Sequence, residues 1–95
     1  MEVGFTGTVF QWRGPSPFYF VDVGEEAADA IGTVAASVTY GWGVIPVTAR
    51  IGATAWTTSL FPRDGSYLLG LKDAVRRAEG VTDGAVVSVT LRLEV

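Results

Sequence analysis

Val87-Ser88-Val89-Thr90-Leu91-Arg92-Leu93-Glu94-Val95 alternates apolar and polar residues without a break. A period of two places Val87, Val89, Leu91, Leu93 and Val95 on one face and the polar residues on the other, the pattern of a strand buried on one side and wet on the other. The same pattern recurs upstream. Ile45, Val47, Ala49 and Ile51 alternate with Pro46, Thr48 and Arg50. Pro46 has no N–H to give a ladder, which assigns it to an edge position or to the strand's first residues. Val3, Phe5 and Val9 oppose Thr6 and Thr8 in a looser opening strand, where Gly4 and Gly7 leave room for a bend or a bulge.

Between these segments lie further strand and turn signals. Arg13-Gly14-Pro15-Ser16-Pro17 is a turn cluster, and Phe18-Tyr19-Phe20-Val21 reads as a buried aromatic strand. Gly52 bends the chain into a β-rich run from Ala53 to Phe61. Asp64-Gly65 marks a turn, Tyr67-Leu68-Leu69 a short strand, and Asp83-Gly84 the last turn. Two short helices fit the remainder. Ala27, Ala30, Ile31, Val34 and Ala35 keep helical spacing, preceded by Asp22 and Glu25 at capping-box spacing or by Gly24 as the cap. Leu71, Ala74, Val75 and Ala78 form an apolar stripe on a second helix that Gly80 stops. The expected fold is mainly β: a small barrel of about six strands with two short helices.

Composition bounds the function. Ninety-five residues form one domain, 1–95, and a hydrophobic fraction of 48% argues against disorder. The chain has no cysteine and no histidine, which removes disulfides, thiolate zinc sites, cysteine nucleophiles and the commonest general base. A net charge of −3 argues against nucleic acid as a partner. The charge is unevenly divided: residues 1–49 carry Arg13 as their one base, whereas 50–95 carry six, so any anion preference belongs to the second half. The longest uncharged stretch, Ala30 to Ala49, is broken by glycines, by Pro46 and by threonines and a serine, so no membrane span is expected. With no basic leader after Met1, cytoplasmic residence is the default expectation.

Gly41-Trp42-Gly43-Val44-Ile45-Pro46-Val47, Ile51-Gly52, Trp56-Thr57-Thr58-Ser59-Leu60-Phe61-Pro62 and Gly65-Ser66-Tyr67-Leu68-Leu69 together carry a family resemblance. With Leu71-Lys72 to Val75-Arg76 and the Glu79-Gly80 to Val87 segment, the chain resembles the DUF-nineteen-oh-five family of small prokaryotic domains of unknown function. One departure is the order Asp83-Gly84, where members commonly carry Gly-Asp. The resemblance implies a double-split β-barrel, an architecture shared with swapped-hairpin transcription regulators and antitoxins. It brings no activity, cofactor or substrate, and a shared fold alone is not a function.

The residues themselves supply the site candidates. Arg63, Lys72 and Arg76 are the most suggestive cluster: Lys72 and Arg76 are four apart, and two cations beside Arg63 would hold a phosphate or carboxylate. On the competing reading they form a solvated helix face that Glu79 partly neutralises, with Asp73 and Arg77 as a surface pair. Trp42, between two glycines, is the best candidate for an exposed functional aromatic, whereas Trp56, in mid-strand, reads as core. Glu25 and Glu26 suit a helix N-terminus, and Asp64 and Asp83 suit turns, so the carboxylates are explained without catalysis. No serine sits in a nucleophile elbow, and the Asp-x-Asp pattern of a calcium loop is absent.

These observations favour a non-enzymatic barrel that binds a small anionic ligand or a protein partner through Trp42, Arg63, Lys72 and Arg76, with no cofactor and no metal. The alternatives are a DNA-binding, regulator-like barrel by fold analogy and a histidine-free carboxylate enzyme. One barrel's worth of strands favours a monomer over a homodimer, although the Pro46 strand and the C-terminal strand are candidates for an exposed edge.

Overall fold

The computed structural model describes residues 1–13, 18–38 and 43–94. Most of the Arg13–Pro17 turn, Trp42 and Val95 lie outside the described residues. In chain order the elements are β1 (Glu2–Trp12), β2 (Phe18–Asp22), α1 (Glu25–Gly32), α2 (Ala35–Val38), β3 (Ile45–Ile51), β4 (Thr54–Arg63), β5 (Ser66–Leu71), α3 (Asp73–Glu79) and β6 (Val86–Arg92). The strands close into an antiparallel barrel in the order β1-β2-β5-β4-β3-β6.

Strand periodicity builds the interior as two stacked rows. Val9 pairs with Val21, Val21 with Leu69, Leu69 with Leu60, and Leu60 with Ile45, so one row of buried side chains crosses five strands. A second row runs from Val3 to Leu91, Ala49 and Trp56. Each fully buried Leu or Ile contributes about 1.5–3 kcal/mol relative to an exposed one. α1 adds Ala27, Ala28 and Ile31 to this core, and α3 adds Val75, with Val81 following it. Trp56 is a core residue, as its mid-strand position predicts.

No exposed edge separates the two candidate strands, because β3 and β6 pair with each other: Thr48, Ala49 and Arg50 face Arg92, Leu91 and Thr90. Pro46 precedes that contact and lies opposite Ser59 of β4, where no β6 partner needs its missing N–H. Asp64 and Gly65 both have positive φ, 50° and 78°, the two-residue turn whose twist suits a tight hairpin.

Other local expectations are corrected. Phe18-Tyr19-Phe20-Val21 is not buried on both faces: Tyr19 and Val21 point inward, while Phe18 and Phe20 point out. Asp22 does not cap α1. Its Oδ1 accepts Gly24 N–H at 2.8 Å and Ser66 Oγ–H at 2.7 Å, and Gly24 is the cap, at φ 85°. α1 ends at Gly32, where Thr33 Oγ1 donates to Ala30 O at 2.7 Å, so Ala35 starts a separate turn. On α3, Ala74 and Ala78 are exposed and Lys72 precedes the helix. The side that faces the barrel carries Val75, Arg76 and Glu79, since Glu79 accepts Thr54 Oγ1–H at 2.5 Å and anchors the helix to β4. Gly80 ends α3 in the left-handed region, at φ 64°.

Candidate functional site

Where the end of β1 pairs with β2, the outward residues Phe10, Trp12, Phe18 and Phe20 are aromatic, at positions where water-facing strands ordinarily carry polar groups. Phe10 lies opposite Phe20, and Trp12 opposite Phe18. Phe20 is the hub. Its ring lies 6.1–6.4 Å from those of Phe10, Trp12, Phe18 and Phe61, and its contacts with Trp12 and Phe61 are edge-on. Phe18 is 58% exposed, Trp12 43% and Phe61 42%. Leu68, opposite both Asp22 and Phe61, is buried beneath this layer and lies outside the main core cluster. A contiguous apolar patch of this kind on a small protein marks a contact surface.

Two clefts open on the patch. The larger, about 510 Å³, is lined by Phe18, Tyr19, Phe20, Phe61, Thr58 and Gly70, with Leu71, Lys72 and Asp73 at the start of α3. It forms where the β4–β5 ladder ends: Leu60 to Arg63 pair with Leu69 to Ser66, and past them side chains replace the backbone partner. Trp56 Nε1–H and Thr58 Oγ1–H both donate to Gly70 O, each over a long 3.4 Å. The smaller cleft, about 370 Å³, shares Phe18, Phe20 and Phe61 and continues over Leu68 to Trp12, Pro62 and Arg63.

The three cations of the sequence reading do not form one cluster: Lys72 and Arg63 line separate clefts and Arg76 lines neither. Lys72 stands on the rim of the larger cleft. Arg63 borders the smaller one, with its guanidinium 4.7 Å from the Trp12 ring centroid. Its contact with Asp64, 3.7 Å between two exposed side chains, adds little. Arg76 is turned inward. Its guanidinium lies 3.6 Å from the Tyr19 centroid, Nη2 donates to Asp73 Oδ1 at 2.8 Å, and buried Nε has no partner among the described residues. Only 20% of its side chain is exposed. Asp73 is held below the usual carboxylate range by the Arg76 hydrogen bond, then by the Arg76 charge, with Arg77 adding to it against a small opposing effect of burial. Asp73 therefore pairs with Arg76, not with Arg77 as expected, and Glu79 serves Thr54 instead of neutralising Arg76.

Sequence reasoning missed Phe20, Phe61 and Gly70. The signal was present: in Phe18-Tyr19-Phe20-Val21 a period of two must put aromatic side chains on both faces of the strand. Among the described residues no three carboxylates converge as a metal site would require, and no helix is long and apolar enough to cross a membrane. A family model described as Domain of unknown function (DUF1905) matches residues 5–91. No curated protein matches the chain.

Proposed function

The chain belongs to that DUF1905 family, a domain of unknown function, and from this premise we propose that it is a non-enzymatic barrel that binds a small, planar anionic ligand in the larger cleft. The observation that carries the reading is the pairing of an aromatic wall (Phe18, Phe20 and Phe61) with Lys72 on the rim. Aromatic faces take a planar group by stacking, and a lysine without a carboxylate partner among the described residues takes its charge. Asp73 shares the rim, but Arg76 engages its carboxylate. The Thr58 hydroxyl, held by the Gly70 carbonyl, adds a polar group that fixes orientation, the usual division of labour in a small-molecule site. Arg76 supports Tyr19 from behind and is a positioning residue in this reading.

The test is a thermal-shift titration against planar aromatic carboxylates and nucleoside monophosphates. A ligand at 100 times its Kd stabilises by about 2.7 kcal/mol. In a domain of this size each kcal/mol moves the midpoint by about 4–8 °C. A shift that Lys72→Ala weakens and Gly70→Val abolishes supports the reading. A panel with no shift, or a shift indifferent to both substitutions, overturns it.

A further inference from the structure

Resting on that reading of the larger cleft, we infer that the ligand is an extended molecule with two planar groups and an anionic substituent beside each, and that the Trp12–Arg63 cleft is its second subsite. The two clefts adjoin, with Phe18, Phe20 and Phe61 lining both, and in this inference they are the halves of one site. The second half has its own recognition elements. Leu68 supplies a buried apolar floor, Trp12 an exposed ring, and Arg63 a charge. A guanidinium stacked over an indole keeps its N–H donors in its own plane, free to meet an oxyanion edge-on. The long Nε contact to Asp64 is the one ion pair Arg63 makes among the described residues, so its terminal donors remain available. Each half thus offers an aromatic face and one cation, Lys72 in one and Arg63 in the other. A ligand with a single planar group leaves half of this surface wet; two linked groups fill both, and the second then binds at high effective concentration.

The probes are 1-anilinonaphthalene-8-sulfonate, an anion built on a planar naphthalene, and its covalent dimer, which carries two such units. The single-unit probe is expected to occupy two sites per chain, and the dimer one, with a Kd lower by about tenfold or more. Arg63→Gln and Lys72→Gln, both at exposed positions, should each remove one single-unit site and return the dimer to single-unit affinity. One site for the single-unit probe, with no gain for the dimer, overturns the second subsite while leaving the larger cleft intact. Failure of both probes to bind overturns the functional reading itself. Binding indifferent to both glutamine variants marks a non-specific apolar surface, and loss of binding as the chain self-associates marks a second copy as the occupant; either result overturns the inference.

Discussion

Gly70 stands opposite Phe20 across the β2–β5 ladder and, with no Cβ, lines the larger cleft with backbone alone. A Cβ built there would lie 3.4 Å from Thr58 Oγ1 and 3.8 Å from the edge of the Phe20 ring, both ordinary contact distances. Gly70 is not among the positive-φ glycines, so nothing in its backbone requires glycine. The position is thus weak for strand stability and valuable for the space it leaves, an exchange expected where a ligand approaches a strand closely.

Gly70→Ala should therefore stabilise the barrel by about 0.4–1 kcal/mol, because alanine restricts the unfolded chain at a compatible position. Gly70→Val should fold as well and block the cleft. Urea denaturation alongside a probe titration separates the two effects. Loss of stability in the alanine variant would show that the residue is needed for packing.

Lys72 and Arg76 look equivalent in the sequence, and the barrel treats them differently. Arg76→Ala removes a stacked guanidinium and the aliphatic stem beneath it, at a cost of about 1–2 kcal/mol. Lys72→Ala, at an exposed position before α3, should change stability by no more than about 0.5 kcal/mol. Equal unfolding midpoints for the two variants would contradict the inward placement of Arg76.

The strands were legible because each alternates against a core, and a period of two admits one inward face. Val9, Val21, Leu60, Leu69 and Leu91 are all found inside for that reason. Helix α3 and its stop at Gly80 were legible, but its buried face was not: of the apolar stripe within the helix only Val75 is buried. A seven-residue helix is held by few contacts, and here two of its anchoring side chains are charged, Arg76 on Tyr19 and Glu79 on Thr54, while Ala74 and Ala78 face water. The cations of the site were legible as residue types in one half of the chain. Their distribution over two clefts was not, because it depends on Trp12 and Phe20, which come from the other half and arrive through strand pairing.

Gly52 and Glu79 form a steric pair that a double-mutant cycle should expose. Gly52 turns the β3–β4 hairpin at φ 56°, and a Cβ there would collide with Glu79 Oε1 while Oε2 accepts the Thr54 hydrogen bond. Gly52→Ala should cost about 1–3 kcal/mol from strain and overlap. In the Glu79→Ala background the overlap is gone and only the backbone strain remains, so the two losses should fall short of additivity by about 0.5 kcal/mol or more. Strict additivity in urea unfolding would show that the carboxylate does not occupy the space beneath the hairpin.

The Asp73–Arg76 pair predicts a specific acid response. Arg76 lowers the pKa of Asp73 in the folded state from its ordinary 3.8, so the folded chain binds that proton less readily than the unfolded chain. Stability then rises with pH wherever the unfolded state holds more protons. The contribution is complete above the ordinary value, declines as pH falls below 3.8, and vanishes once pH drops through the lower folded-state value. Asp73→Asn should consequently melt below the parent near neutrality, with the two curves converging as pH falls below the ordinary 3.8. Added salt should narrow the gap at neutral pH, because both partners reach solvent and Asp73 is largely exposed. A gap that persists unchanged at the acid end would assign the effect to packing and not to the charge that Arg76 stabilises.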